Sequence, residues 1–561
     1  MYLRVIELKK GTTCYRYLKL VDSVRVKGKP VQKTLLNFGN INDWPEEKIK
    51  ELIDRLDRFY GLSSFSGTVD LDFERALEFG AGYALDALWN QLGLSETLRA
   101  HGKRHAYEID IVPPVKAMVF NRLLEPHSKL GVSDWVHTQA IPEVSLREIP
   151  LHHYYRSLDY LMRDKESLEE DLFWKVADIF TLDLSLVFYD LTSSYFTGEG
   201  CTMARHGYSR DHRPDCHQIE IGLLVNRDGL PIAHQVWEGN TADPKTVPDA
   251  LETLSQRFRL KRCVFVGDNA MATPTNLTLL REKGYEYIMS LKLRKDPRAR
   301  RILEDPALSN PERFTPLKDN LLVHELSVPG PGFQEDERVI VCFNPVRARA
   351  TREKRALRME EGREYLQSVA DAPPKKGRPR TPEKITAMIK RGLSKLDVHG
   401  FFSCSFTPEG HLVFQENIDS LDRERRADGI CLLVTNAPAL STPEVAQGYR
   451  TLYQVEQAFR EMKSFLRIRP VYHYDDLRVR GHVFICVLAY LLETMLEQKL
   501  RAAGTSISPQ KALGMLKPIH LVQAVFQGKP VGKRTNLTPE QEAIYHAIGI
   551  PEVPKIPVLA D

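Results

Sequence analysis

Two stretches constrain this 561-residue chain more than any others: LSLVFYD, ending at Asp190, and CVFVGD, ending at Asp268. A run of apolar residues without polar alternation does not suit a strand with one wet face. It reads as a strand covered on both sides, in the middle of a sheet flanked by helices. The surroundings agree. IEIGLLVN and PIAHQVWEG have the pattern of a hairpin around Arg227–Leu230, a helical pattern covers 246–258, and YEYIMSL and DGICLLVTN are further buried-strand runs. The predicted fold class is therefore α/β with a mixed sheet.

In an open α/β sheet, ligands gather beyond the carboxyl ends of the strands. The pattern places Asp190 and Asp268 at such ends. A third acid, Glu456, falls on a helix predicted to start with Thr442 as N-cap, Pro443 and Glu444, and to run to about Arg467. Tyr449 and Lys463 lie seven residues to either side of Glu456. Seven residues is close to two turns, so the three form one stripe. A carboxylate between a phenol and a cation suits a phosphodiester: Glu456 takes a metal, Lys463 a phosphate, and Tyr449 hydrogen-bonds or stacks. Two magnesium ions roughly 4 Å apart can activate an attacking oxygen and stabilise a leaving one. Magnesium favours hard oxygen ligands and few carboxylates, so three acids are an adequate set; manganese is expected to substitute. Singly, each acid reads as a cap, a turn residue or a solvated helix position. Only their joint placement argues for chemistry.

Composition bears on the partner. At 42 % hydrophobic and 27 % charged residues the chain is globular. A net charge of +4 is nearly balanced, so affinity for a polyanion needs local clusters. Two are present: Lys292, Arg294, Lys295, Arg298, Arg300 and Arg301, then Arg347, Arg349, Arg352, Lys354, Arg355 and Arg358. Either could track a DNA backbone or form a solvated face. Arg210, Arg213 and Arg460 are candidate phosphate contacts near the acids. PPKKGRPRTP (Lys375–Arg380) reads first as a Pro- and Lys-rich linker and second as a minor-groove hook. Cys201, His206, His212, Cys216 and His217 lack the spacing of a structural zinc site. Eight cysteines without a C-x-x-C pair predict a reduced, intracellular protein. MYLRVIELKK has no apolar core of a signal peptide, and the run Val483–Leu492 is too short for a membrane span. The expected setting is cytoplasmic, at the nucleoid when DNA is bound. There is no G-x-x-x-x-G-K-[ST], so no nucleotide cofactor is expected.

The segment YQVEQAFREMKSFLRIRPVYHYDDLRVRGHVFICVLAYLL resembles bacterial insertion-sequence transposases of the DDE type. The likeness is to the group whose last acidic helix carries Y-x2-R-x3-E-x6-K. Tyr449, Glu456 and Lys463 match, and Leu452 stands at the Arg position. Around Asp268 the group favours D-x-[GA]-[FY]; DNAM fits at Ala270 and departs at Met271. YDLTSSYF around Asp190 and the stretch HGYSRDHRPDCHQIEIGLLVNRDGLPIAHQVWEGNTADPKT are similar too. The resemblance spans about 150–500, with a similar N-terminal β module.

The resemblance implies a ribonuclease-H-like core interrupted by a mainly β insertion. It also implies strand cleavage at transposon ends, attack of the freed 3′ hydroxyl on target DNA, and a homodimer on double-stranded ends. With it, the chain divides into a β-rich module and linker (1–65), a helical region assigned to DNA-end binding (66–180), and the first part of the catalytic core (181–295). A mainly β insertion (296–427), the second core part with the Glu456 helix (428–500) and a helical tail assigned to dimerisation (501–561) follow. A metal-dependent nuclease without strand transfer would use the same carboxylates. A DNA-binding derivative without catalysis is the third reading.

Overall fold

The computed structural model describes residues 2–556 apart from 11–12, 27–28, 61–70, 146–147, 181–183, 259, 261–262, 327–330, 372–380, 409–410 and 527–528. The expected linker GLSSFSG and the Lys375–Arg380 piece lie outside those residues. The chain forms two compact units, 1–74 with 523–531 and 75–522 with 532–561. In the first, strands β1 (Tyr2–Lys10), β2 (Thr13–Val26) and β3 (Lys29–Asn40) make an antiparallel sheet, and helix α1 (Glu46–Tyr60) follows.

The second unit begins within β4 (Leu71–Glu78) and continues through six helices: α2 (Gly80–Gln91), α3 (Leu94–Arg104), α4 (Val112–Leu124), α5 (Lys129–Trp135), α6 (Leu151–Arg163) and α7 (Lys165–Phe180). Five strands then enter the central sheet: β5 (Leu186–Tyr195), β6 (Gln218–Asn226), β7 (Pro231–Glu238), β8 (Val264–Gly267) and β9 (Glu286–Ser290). Helices α8 (Val247–Glu252) and α9 (Pro274–Glu282) lie between them in sequence. The hairpin falls where the sequence placed it: Asn226 accepts at its side-chain oxygen from the N–H groups of Asp228 and Leu230. The sheet has nine strands in the order β10-β11-β12-β15-β9-β8-β5-β6-β7, the added ones being β10 (Thr315–Pro316), β11 (Leu322–Glu325), β12 (Arg338–Phe343) and β15 (Ile430–Thr435). β5, β8 and β9 run parallel, whereas β5–β6, β6–β7 and β9–β15 pair antiparallel.

Both faces of the sheet are covered, which is why its strands read as unbroken apolar runs. Side chains alternate across the sheet. Phe188, Val266 and Ile288 join the core shared with the helices, while Val187, Tyr189, Phe265 and Tyr287 join a second core on the other face.

Four expectations are corrected. Residues 296–427 are not mainly β. Helices α10 (Pro297–Leu303), α11 (Pro345–Ala370), α12 (Pro382–Lys395) and α13 (Ile418–Ala427) supply most of their ordered structure. β10, β11 and β12 extend the main sheet, leaving, among the described residues, only the hairpin β13 (Phe402–Phe406) and β14 (Leu412–Glu416) outside it. Alternation marked those strands, but the basic stretches between them hold their helices with ion pairs, such as Arg352 and Arg355 on Asp428.

The Glu456 helix is two helices, α14 (Thr442–Arg450) and α15 (Tyr453–Ser464), with a break at Thr451 and Leu452. Its N-cap is Ser441, closed by Glu444 in a capping box, so Thr442 lies just inside. The tail is not purely helical. After the long helix α16 (Asp476–Ala502) come α17 (Pro509–Leu516), strands β16 (His520–Phe526) and β17 (Lys529–Arg534), and α18 (Pro539–Ala547). Ser508 and Thr538 cap α17 and α18 as expected.

α16 is the described helix long and apolar enough to cross a membrane, yet it is packed inside the fold, with Val483, Ile485, Leu492 and Met495 fully covered. Each such aliphatic side chain contributes roughly 1.5–3 kcal/mol on burial. Gly481 lets α16 approach α6: a Cβ there would sit 2.9 Å from the Leu158 carbonyl oxygen.

Candidate active site

The parallel pairing of β5 and β8 sets the position of two acids. Phe188 partners Val266, so Asp190 and Asp268 are each two residues further on. Asp190 is not at a strand end as expected. β5 continues to Tyr195 because β6 stays paired with it, Asp190 lying opposite Leu223. β8 stops at Gly267, and Asp190 comes clear where β5 outruns it. By alternation, Asp190 shares the face of Phe188 and lies opposite to Tyr189 and Leu191. Asp268 forms a local turn, its Oδ1 accepting from the N–H groups of Ala270 at 2.9 Å and Met271 at 3.3 Å. The Leu191 N–H donates to Asp190 Oδ1 at 2.8 Å.

Glu456 comes from α15, on the same face. Val455, Ala458, Phe459 and Met462 of α15 are buried in the core that holds Phe188 and Val266. Glu456 itself is exposed and borders a cavity of about 710 Å³ lined also by Asn269, Lys292, Arg294, Lys295, Arg347 and Tyr449.

The acids feel one another. Burial first, then the Asp268 carboxylate, and Glu456 to a lesser degree push the Asp190 carboxyl up to about 7; the Leu191 N–H and Arg210 oppose them. Asp268 is also raised, by burial first and then by Asp243. The nearby guanidinium of Arg210 is engaged elsewhere, on Glu220 at 2.6 Å and Asp243 at 2.8 Å. Among the described residues Asp190, Asp268 and Glu456 have no ion-pair partner of their own. Their oxygens also do not all fall within 4.8 Å of one another.

The remaining expected residues divide. Tyr449 lies on α14 and donates to Ser290 Oγ at 2.8 Å, so the stripe with Glu456 is interrupted by the helix break. Burial raises its phenol. Lys463 is bound to Asp211 at 2.7 Å; burial lowers its ammonium and Asp211 opposes this. Leu452, at the signature's Arg position, is a core residue at the break. Arg450 pairs with Asp319 instead of reaching that position. Arg460 is exposed. Arg213 is held by Asp215 over the Tyr195 ring. Of the basic clusters, Lys292, Arg294, Lys295 and Arg347 line the Glu456 cavity.

Several residues escaped the sequence reading. Burial, and Asp243 after it, push Glu220 up to about 7, with Arg210 and Lys463 opposing. A lone Glu inside QIEIGLLVN was the available signal, because a buried charge needs a partner. Asp211, which holds Lys463 and Arg469, had none: its partner is 252 residues away. A second cavity, of about 940 Å³, is lined by Arg122, Lys129, Arg467, Arg469 and Arg478 with Tyr155, Tyr472 and Tyr474.

Residues 182–492 match the family model of the transposase DDE domain, and residues 3–64 match that of the N-terminal domain of IS1634 family transposases. No curated protein matches the chain. Among solved structures, the piggyBac transposase synaptic complex with hairpin DNA is 8 % identical, with 79 % of this chain and 82 % of that one covered. Its TM-score is 0.38.

Proposed function

Because the chain belongs to the DDE transposases of insertion sequences, we propose that it cleaves DNA at transposon ends and joins the freed 3′ hydroxyl to target DNA, with Asp190, Asp268 and Glu456 as its catalytic acids. The observation that carries this reading is the placement of Asp190 on β5 and of Asp268 just past the end of its parallel neighbour β8, each two residues beyond the paired Phe188 and Val266, with α15 packed on the Phe188 face. The order β7-β6-β5-β8-β9, with the first three antiparallel and the last three parallel, supports a ribonuclease-H-like core.

Asp190, Asp268 and Glu456 would hold two divalent cations, Mg²⁺ or in its place Mn²⁺, which supply activation of the attacking oxygen and stabilisation of the leaving one. The protein's part is positioning. Sheet and helix fix the three carboxylates, and the Ala270, Met271 and Leu191 N–H groups orient two of them. Lys463 and Arg469, gathered by Asp211, are assigned to a phosphate contact, Lys463 on the helix that carries Glu456. Lys292, Arg294, Lys295 and Arg347 extend that charge along the cavity, giving affinity without sequence information. Arg213 and Arg460 are exposed and are assigned to further phosphate contacts, whereas Arg210 pairs with Glu220 and Asp243. The helical region 66–180 is assigned to reading the DNA end, and the tail after 500 to pairing two chains on DNA.

The test uses a plasmid carrying the element's ends, a second target plasmid and Mg²⁺. Release of the element with free 3′ ends and their joining to the target is the expected result. Cleavage without joining would replace transposition by the nuclease reading, and DNA binding with neither step by the inactive one.

A further inference from the structure

A second cluster of ligand-type side chains lies among the helices before the sheet. His101 and His105 are four residues apart at the end of α3, so both rings leave the same face; they stack with centroids 6.3 Å apart. Asp164, at the corner between α6 and α7, faces both. Its Oδ2 lies 3.8 Å from His101 Nδ1 and its Oδ1 lies 3.5 Å from His105 Nε2. One ligand atom from each residue falls within 4.8 Å of the others. At 3.8 Å the first contact is too long for a hydrogen bond. Two ligands about 2.0–2.1 Å from one tetrahedral ion sit roughly 3.3 Å apart, against 3.5 and 3.8 Å for the two Asp164 pairs here.

The supports are also in place. His101 is fully buried, and its Nε2 lies 2.8 Å from Asp171 Oδ2. A neutral imidazole that donates from Nε2 to this carboxylate keeps its lone pair on Nδ1. Among the described residues Nδ1 has no hydrogen-bond partner. A carboxylate holding the far nitrogen of a histidine is the usual outer support of a metal ligand. Tyr107 donates to Asp164 Oδ2 and fixes that carboxylate as well. His105 is partly exposed, which leaves water access for a fourth ligand.

We infer that His101, His105 and Asp164 bind one zinc ion that ties the end of α3 to the α6–α7 corner, with Asp171 and Tyr107 orienting the ligands. Two imidazoles with one carboxylate suit zinc; magnesium would take oxygen donors. The site shares no residue with the proposed catalytic acids.

The experiment strips the full-length protein with a chelator, dialyses it against zinc chloride, and measures bound zinc by mass spectrometry and cobalt substitution by visible absorption. Wild type and the Asp190→Asn/Glu456→Gln double variant are each expected to hold one zinc per chain and to show a tetrahedral cobalt spectrum. His105→Ala changes an accessible ligand and spares the core. It is expected to lose that ion and spectrum, while Asp171→Asn binds zinc about 10–100-fold more weakly. Absence of zinc from the wild type, undiminished zinc in His105→Ala, or zinc lost only in the double variant would each overturn the assignment.

Discussion

Asp190 and Asp268 stand level with each other, each two residues past a pair, Phe188 and Val266, that is in register across β5 and β8. Elements distant in sequence are thus brought together by ordinary sheet pairing. One strand is held at the middle by its antiparallel neighbour, and the other ends where the first acid comes clear.

If these acids are metal ligands, ligand softness should change metal choice. Asp268→Cys should be inactive with Mg²⁺ and regain part of its activity with Mn²⁺, because thiolate suits softer ions than a carboxylate does. Cleavage rates in the two metals, at matched DNA binding, check this. Equal loss in both would weaken the role of Asp268 as a ligand.

Lys463→Met removes a cation that Asp211 holds on α15, the helix that carries Glu456. Cleavage should fall about 10–100-fold, the worth of one charge-assisted contact. The slope of log affinity for DNA against log salt should shrink by about 0.9. A salt titration of binding measures it, and an unchanged slope would remove Lys463 from the phosphate path.

Glu493 on α16 provides a pH-dependent stability. Burial, then Glu461 and Glu497, push its carboxyl from an ordinary 4.5 up to about 8, with Gln510 opposing. A carboxyl raised on folding stabilises most below its unfolded value, and that stability is lost as pH rises through the folded one. Glu493→Gln should therefore raise the thermal midpoint near pH 8, with little change near pH 4.5. Thermal melts across that window would show the opposite trend if Glu493 were ionised in the fold at neutral pH.

Gly481→Val would drive a side chain into the Leu158 backbone. Overpacking of this kind costs about 1–3 kcal/mol, and the thermal midpoint should drop by a few degrees. An unchanged midpoint would show that α6 and α16 can part without loss.

The central strands were legible because a sheet covered on both faces leaves unbroken apolar runs, and LSLVFYD and CVFVGD are both of that kind. The element beside each acid could be read, but not the exact strand limits: the extent of β5 beyond Asp190 depends on β6. The break at Leu452 was hidden because a buried leucine continues a helical pattern as well as it ends one. The helices of 296–427 carry enough charge to look like coil, and their ion pairs on Asp428 and Asp397 are long-range. Asp211 and the cation pocket around Lys129 arise only from tertiary contact. The His101 cluster joins α3 to residues sixty to seventy positions on, so no local spacing announced it.

The most direct test is single-turnover cleavage of a labelled transposon end in Mg²⁺ by wild type, Asp190→Asn, Asp268→Asn and Glu456→Gln, with DNA binding measured alongside. Each variant should bind the end but cleave about a thousandfold more slowly or worse, since metal-held charge stabilisation is worth several kcal/mol. A variant that binds and cleaves at a rate near wild type would contradict the three-carboxylate site.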